Sequence, residues 1–234
     1  ACCPGQVLAI TFTNKAAGEL KERLCTMLGQ QGNEIWASTF HSTCARILRR
    51  DGERIGFSSH FTIYDTDDSK RLMRECQKAV DVDEKILPIK VVLSEISHAK
   101  DNMIDPQEYE KYAANDNKLQ IIAKIYQMYQ KRLKESDAMD FDDLICNTVY
   151  LFERNPDVLE YYQDKFLYLM VDEYQDTNHA QYLFVKLLAQ KRKNICVVGD
   201  DDQSIYKFRG ATIENIMSFE ESFPNAKVIR LEQN

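Results

Sequence analysis

The most constraining feature of the sequence is a short apolar run that ends abruptly at two neighbouring carboxylates. Residues 166–171 are apolar, and Asp172 and Glu173 follow directly. A buried parallel strand ends in this way at the carboxyl edge of an α/β sheet, where such folds bind their ligands. Asp172 would lie at the strand tip, where it could bind a Mg²⁺ ion that shares a nucleotide's phosphates, and Glu173 could deprotonate a water. The alternative is an acidic turn in which Asp176 or Asn178 only caps the next helix.

A second apolar run ends in the same way farther along the chain. Residues 194–199 are followed by a polar stretch that contains Asp200 and Gln203. Two parallel strands separated by a helix bring the groups that follow them to the same edge of a sheet. The sequence therefore predicts one polar site that is built from both strand ends.

Together, these two stretches resemble a known family of motor enzymes. DEYQDTN at 172–178 and VVGDDDQSIYKFRGA at 197–211 are similar to motifs II and III of superfamily 1 DNA helicases of the UvrD/Rep/PcrA type. The resemblance implies that Asp172 binds Mg²⁺ and that Glu173 activates the water that attacks ATP. It also implies that Gln203 senses the γ-phosphate and signals to the DNA side.

The second of these stretches also carries aromatic and basic residues. The resemblance implies that Tyr206 stacks on a DNA base, with Phe208 as a further aromatic. Many relatives carry tryptophan where this chain has Phe208, and stacking should survive that difference. Arg209 would link the DNA side to the nucleotide side.

Two stretches near the N-terminus extend the resemblance. TFTNKAAGELKERL at 11–24 resembles motif Ia, and WASTFHSTCARILRR at 36–50 resembles motif Ib; both lie along single-stranded DNA in the family. The DNA contacts implied by the two motifs are Thr11, Phe12, Thr13, Asn14, Thr39, Phe40, His41 and Ser42. Phe12 would stack on a base. Taken without the motifs, Phe12 fits a packed core equally well, and Asn14 fits a helix cap.

The middle of the chain has a different character. Residues 66–138 are almost entirely helix-patterned, with breaks that carry Asp, Asn and Pro. This pattern predicts an inserted all-helical subdomain at 66–138. The resemblance implies that the rest is an α/β fold, a parallel, P-loop-NTPase-like (RecA-like) motor domain in two parts, 1–65 and 139–234. A helical subdomain stands at this position in the family. Tyrosines at helical spacing predict its core: Tyr109, Tyr112, Tyr126 and Tyr129.

Individual elements follow from the same patterns. Strands are predicted at 6–11, 34–39, 61–65, 166–171, 194–199 and 226–231. A helix is predicted to begin at Asp140, Asp142 and Asp143, because the helix dipole stabilises carboxylates at a helix N-terminus. These three residues are also predicted to lie near DNA.

Composition limits the remaining function classes. The chain has a net charge of −7, which gives no support to DNA binding by itself. Its seven cysteines form no CxxC pair, so buried, reduced thiols are expected. Without an apolar run of about 20 residues or a signal-peptide pattern, we expect no membrane span and a cytoplasmic location.

One element of the resemblance is missing from the sequence. The 234 residues contain no GxxxxGK[ST], which in the family precedes the strand that here begins at Gln6. The family's arginine finger would lie beyond Asn234. We therefore expect a piece of a longer helicase, without the P-loop and the second motor domain, that has no useful ATPase activity of its own.

The resemblance also implies what the longer protein does, and three alternatives stay open. It would hydrolyse ATP with Mg²⁺, move 3′ to 5′ on single-stranded DNA and open duplex at junctions during repair or replication, where proteins of those pathways are possible partners. One alternative is a DNA-binding module without catalysis. Another is the helicase part of a RecB- or AddA-like helicase–nuclease. The third is a metal-dependent nuclease built from Asp172, Glu173, Asp200 and Asp202.

Overall fold

A computed structural model describes residues 3–200, 219 and 221–229 of the chain. In chain order, the strands are β1 (Val7–Thr11), β2 (Trp36–Thr39), β3 (Thr62–Ile63), β4 (Ala138–Met139), β5 (Tyr168–Val171) and β6 (Ile195–Val197). The helices are α1 (Asn14–Leu28), α2 (Phe40–Asp51), α3 (Thr66–Ala79), α4 (Ile89–Asp101), α5 (Pro106–Tyr112), α6 (Asn117–Glu135), α7 (Phe141–Arg154), α8 (Pro156–Lys165) and α9 (His179–Ala189). No helix in these ranges is long and apolar enough to cross a bilayer.

A parallel four-stranded sheet forms the centre of the α/β part. Its strand order is β2-β1-β5-β6, and all three pairings are parallel. Thr11 pairs with Thr39, and Ile10 pairs with Val171, so the strands end at a common level. The predicted α/β fold with a parallel sheet is confirmed, and the residues that follow β1, β2 and β5 lie along one edge.

Apolar spacing explains how the helices cover this sheet. In α2 the buried apolar residues are Phe40, Cys44, Ile47 and Leu48, which form one stripe of a helix. Helices α7 and α9 contribute further buried residues to the same core. By contrast, α1 buries no residue completely, and Leu28 at its end is exposed.

The inserted helices have a second apolar core, formed by residues between Leu72 and Ala138. Tyr109, Tyr126 and Tyr129 are buried there, as predicted. Tyr112 is 73% exposed, so its predicted core position is wrong. The boundaries at 65/66 and 138/139 stay a prediction.

Two predicted strands differ in the structure. The strand at 61–65 reduces to β3, which pairs with β4 in a separate two-stranded sheet. This pair joins the two ends of the inserted segment. The region 66–138, predicted to be all-helical, therefore ends at the first residue of strand β4. Of the strand predicted at 226–231, residues 226–229 are described and carry no strand.

Five of the described cysteines are free thiols: Cys25, Cys44, Cys76, Cys146 and Cys196. Cys44, Cys76 and Cys146 are buried, as predicted, whereas Cys3 and Cys196 are exposed. Burial raises the pKa of the Cys44 thiol to about 12. A thiol with such a pKa stays protonated and unreactive, so Cys44 acts as a small apolar core residue.

Candidate functional site

The predicted acidic pair lies at the carboxyl tip of β5. The backbone N–H of Asp172 donates to the carbonyl of Ile10 over 3.0 Å, which ties the tip to β1. Both carboxylates are exposed, and Asp172 Oδ1 accepts from the N–H of Glu173 at 3.0 Å. Two carboxylates are therefore presented to solvent from a fixed position on the sheet edge.

Glu173 adopts a left-handed backbone conformation, with φ of 50° and ψ of 41°. For a residue other than glycine, this conformation costs about 1–2 kcal/mol. Its neighbours hold it in place, because buried Tyr174 donates its N–H to the carbonyl of Val198 at 2.9 Å. Backbone strain of this kind concentrates at functional sites, which is consistent with the role predicted for Glu173.

Gln175 is a site residue that the motif reasoning missed. Its amide Nε2 donates to Glu173 Oε2 at 2.7 Å, and its Oε1 accepts from the N–H of Asp200 at 3.1 Å. A Cβ on residue 199 would come within 2.8 Å of this same amide oxygen, so a larger residue than Gly199 would displace the Gln175 side chain. Gln175 thus orients the Glu173 carboxylate and connects it to the end of β6.

The donor chemistry at the β5 tip fits magnesium. Mg²⁺ is usually held by one or two protein carboxylates together with substrate phosphates and waters. Asp172 offers one exposed carboxylate at the sheet edge from which the turn after β1 also departs. Within the described ranges, no group of three or more His, Cys, Asp or Glu side chains forms an all-protein metal site. A single exposed carboxylate of this kind is compatible with a Mg²⁺ ion that keeps most of its other ligands from outside the protein.

The β1 turn holds the first set of predicted DNA contacts. Thr13 caps α1, because its Oγ1 accepts from Ala16 N at 3.1 Å; Asn14 is the first residue of the helix, so its predicted cap role is wrong. Phe12 is half-buried, and its ring lies edge-on to Phe40 with centroids 5.4 Å apart. Phe12, Thr13 and Asn14 remain accessible at the edge, whereas Thr11 is buried.

The turn after β2 holds the second set of predicted DNA contacts. Thr39 is buried and caps α2 by accepting from Ser42 N at 3.2 Å. His41 is half-buried against Phe141, and burial lowers the pKa of its imidazole, so a neutral ring faces the edge. Phe40 is only 1% exposed and packs between Phe12 and Phe184. Its ring belongs to the core, and its predicted DNA contact is not supported.

A known protein family matches most of the chain. The family described as the UvrD/REP helicase N-terminal domain matches residues 1–224.

The chain belongs to this family.

Curated relatives of this UvrD/REP helicase N-terminal domain include two staphylococcal proteins. The ATP-dependent DNA helicase PcrA of Staphylococcus epidermidis RP62A is 53% identical over 231 residues, which is 99% of this chain and 32% of that protein. The protein of the same name from Staphylococcus aureus NCTC 8325 is 54% identical over the same shares. The chain thus spans about a third of the length of the relatives that it matches.

The remaining predicted site residues of this UvrD/REP domain lie outside the described ranges. They are Asp202, Gln203, Tyr206, Phe208 and Arg209. Asp202 was named only for the nuclease alternative, and the assignments of the other four residues stay predictions from motif III.

A buried ion cluster joins the inserted helices to the α/β part of the UvrD/REP domain. Lys100, at the end of α4, is 2% exposed, and its Nζ lies 2.7 Å from Asp140 and 2.9 Å from Asp143. Asp140 caps α7, and its carboxylate also accepts from the hydroxyl of Tyr129 at 3.0 Å. The predicted helix start is confirmed, but Asp140 and Asp143 face Lys100 and not a DNA surface.

A second contact joins α4 to the segment after the acidic pair. Asn178 caps α9 by accepting from Gln181 N at 2.9 Å, as the alternative capping interpretation predicted, and its Nδ2 donates to Asp101 Oδ1 at 2.5 Å. Burial, together with the nearby Asp142, raises the pKa of Asp101 to about 7. The inserted helices therefore contact the end of the 172–178 motif through a carboxyl group that titrates near neutrality.

We expect Asp101→Asn to make the chain more stable at pH 8 than the wild type. A carboxyl whose pKa is raised by folding stabilises the protein below its unfolded pKa near 4, and this stability is lost as pH rises towards 7. Asparagine stays neutral and keeps an acceptor for Asn178, so the gain at pH 8 should be on the order of 1–3 kcal/mol. Urea unfolding at pH 5 and pH 8 measures it.

The exposed carboxylate of Glu84 provides the matched control. Glu84→Gln removes the same charge and should leave the pH dependence of unfolding unchanged. If Asp101→Asn behaves like Glu84→Gln at both pH values, Asp101 is ionised at no cost and the raised pKa is wrong.

Proposed function

We propose that this chain is part of an ATP-dependent DNA helicase and forms most of its first motor domain with a helical insertion. The supporting observation is the common sheet edge, on which the exposed Asp172 and Glu173 stand beside the turns that follow β1 and β2. A nucleotide site and a DNA surface on one edge allow hydrolysis to drive movement along DNA. The relatives' name, ATP-dependent DNA helicase, supports the same function.

We assign ATP chemistry to the β5 tip. Asp172 would hold Mg²⁺, which neutralises charge on the phosphates when it is bound. Glu173 would orient the attacking water and accept its proton, while Gln175 keeps the Glu173 carboxylate in position. Gln203 would sense the γ-phosphate.

We assign single-stranded DNA to the turns beside it. Phe12 would stack on a base, and Thr13, Asn14, His41 and Ser42 would contact the backbone. Thr11 and Thr39 would support these turns from within. On the motif III side, Tyr206 and Phe208 would stack on bases and Arg209 would connect DNA with nucleotide. We also propose that the longer protein moves 3′ to 5′ on single-stranded DNA and unwinds duplex at junctions. It would act in cytoplasmic repair or replication, with partners from those pathways.

The chain alone should not hydrolyse ATP. Its 234 residues contain no GxxxxGK[ST], so the lysine that holds the β- and γ-phosphates is not among them. Phosphoryl transfer depends on positioning and on charge neutralisation, and half of a site supplies neither completely. This site therefore requires the P-loop lysine, and the second motor domain of a helicase is its other required partner.

A graft tests the proposal. The chain replaces the matching third of the S. aureus PcrA helicase, and ATP hydrolysis is measured with and without a single-stranded oligonucleotide. We expect hydrolysis that DNA accelerates. Binding of DNA without any hydrolysis would instead favour a DNA-binding module, and Mg²⁺-dependent cutting of DNA without ATP would favour a nuclease. A carboxylate cluster in the rest of the protein would identify a helicase–nuclease.

Phe12→Ala should weaken binding of single-stranded DNA to the chain. Stacking of one base on an aromatic ring is worth about 1–3 kcal/mol, so we expect a loss of roughly 5- to 150-fold in affinity. Fluorescence anisotropy with a labelled oligothymidylate measures it. Phe12→Tyr keeps the aromatic face and the contact with Phe40, and it should bind as the wild type does. Equal binding by Phe12→Ala would show that Phe12 only packs in the core.

A further inference from the structure

A band of positive charge lies on the outer side of α2, next to the edge strand β2. Arg46 and Arg50 lie one turn apart on the same side of α2 as Ser42. Lys165, the last residue of α8, lies beside them over the ring of Trp36. Arg46, Arg50 and Lys165 are called the cationic stripe below.

Aromatic rings hold the cationic stripe in place. The guanidinium carbon of Arg46 lies 3.7 Å from the centre of the Trp36 ring, and Lys165 Nζ lies 4.2 Å from it. Arg50 lies 3.7 Å above the ring of Tyr161 in the same way. A guanidinium stacked flat on a ring keeps its N–H groups at its edge, free to donate to an oxyanion.

The positive charge of the stripe is only partly neutralised by its surroundings. Within the described part of the chain, neither Arg46 nor Lys165 forms an ion pair. Arg50 lies 3.8 Å from Asp51, whose carboxylate also accepts from the Tyr162 hydroxyl at 2.7 Å. Burial lowers the pKa of Lys165, and repulsion from Arg46 and Arg50 lowers it further. A bound anion would relieve this repulsion.

A groove next to the stripe has the chemistry of an anion site. It encloses about 360 Å³ along β2, and Lys21, Ser38, Ser42 and Arg46 line it together with one carboxylate, that of Glu34. Lys21 Nζ is fixed by the carbonyls of residues 33 and 35, at 2.7 and 3.0 Å. The groove is therefore lined by cations and hydroxyls held in fixed positions.

We propose that the cationic stripe binds the phosphates of single-stranded DNA and continues the DNA path from the Thr39–Ser42 turn along α2. Ser42, Arg46 and Arg50 span about 12 Å of helix, which is longer than one phosphate spacing. The inference rests on the proposed function, which places DNA at that turn. The continuity with the turn and the one-turn spacing of the cations favour a regular polyanion over an acidic protein segment.

The salt dependence of DNA binding tests the stripe in the 234-residue chain. Anisotropy of a labelled oligothymidylate is measured over a series of salt concentrations for the wild type and for Arg46→Gln/Arg50→Gln/Lys165→Gln. Each lost phosphate contact lowers the slope of log K against log salt by about 0.7, so the slope should fall by about 2. Affinity at low salt should fall about tenfold or more.

The matched control removes three cations that are already neutralised. Arg54, Lys191 and Arg192 form ion pairs of 2.7–2.8 Å with Asp157, Glu160 and Asp164. Their triple glutamine variant has the same net charge and should keep the wild-type slope. Arg46→Lys/Lys165→Arg keeps both charges and should also bind normally.

The outcomes separate the stripe from the proposed function. If the stripe variant binds like the control while Phe12→Ala weakens binding, the stripe assignment is wrong and the DNA surface at the turns stands. If the wild-type chain binds no DNA, the stripe assignment and the proposed DNA surface at the turns are both wrong. If polyglutamate displaces the oligonucleotide at equal charge concentration, the stripe is a site for acidic protein segments, which overturns the assignment.

Discussion

Lys100→Met should lower the free energy of unfolding by about 3–5 kcal/mol, because it leaves two buried carboxylates without their cation. Burial alone would lower the pKa of Lys100, but Asp140 and Asp143 raise it well above its usual value. The lysine is therefore charged at neutral pH, and its loss leaves Asp140 and Asp143 in the interior with too few partners. Urea unfolding at pH 7.5, followed by circular dichroism, measures the loss.

The pH dependence of this loss identifies its cause. Burial, with the neighbouring Asp140, raises the pKa of Asp143 to about 6 even when Lys100 is present. At pH 5 the carboxyl can protonate, so Lys100→Met should cost less there than at pH 7.5. An equal cost at both pH values would point to lost packing of the lysine side chain instead.

An exposed ion pair provides the control for Lys100. Lys131 lies 3.8 Å from Glu135, and its side chain is 74% exposed. Such pairs contribute about 0–1 kcal/mol, so Lys131→Met should change the unfolding free energy little. If both variants cost the same, the buried cluster contributes no more than a surface pair does.

Glu173→Gln should abolish ATP hydrolysis by the graft, with a fall of about 10²- to 10⁴-fold, because the amide cannot accept a proton from the attacking water. Glutamine keeps the shape of the side chain and an oxygen that can accept from Gln175, so the turn should stay folded. DNA binding should be unchanged. Steady-state hydrolysis with and without oligonucleotide, together with anisotropy, measures both properties.

A carboxylate away from the sheet edge is the control for Glu173. Glu153 is exposed at the end of α7, and Glu153→Gln should hydrolyse ATP at the rate of the unmodified graft. If Glu173→Gln also hydrolyses ATP at that rate, another group accepts the proton, and the assignment of Glu173 as the base is wrong.

The sheet edge could be predicted from the sequence because its signals are local. An apolar run followed by Asp172 and Glu173 indicates a buried strand that ends at a polar edge, and the structure places β5 there. The helical character of residues 66–138 followed from their sequence pattern in the same way. The exact cap of α1 did not, because Thr13 and Asn14 are both good capping residues and only the backbone geometry distinguishes them.

The contacts between distant parts of the chain could not be predicted. Lys100 and Asp140 are 40 residues apart, and a lysine in a helix pattern normally indicates an exposed side chain. Only the packing of α4 against α7 buries it. The pairing of β3 with β4 could not be predicted either, because a two-residue strand carries too little pattern to identify its partner. Phe40 was misassigned because a motif does not show which way a side chain points.

The attachment of the inserted helices has a mechanical consequence. The insertion is joined to the α/β part by the β3–β4 pair, by Lys100 to Asp140 and Asp143, and by Asp101 to Asn178. A body held at one place can swing, whereas a body held at two places, here the β3–β4 pair and the end of α4, has less freedom to rotate. A pull on the insertion would therefore be transmitted directly to the cap of α9, a few residues from the carboxylates of the sheet edge.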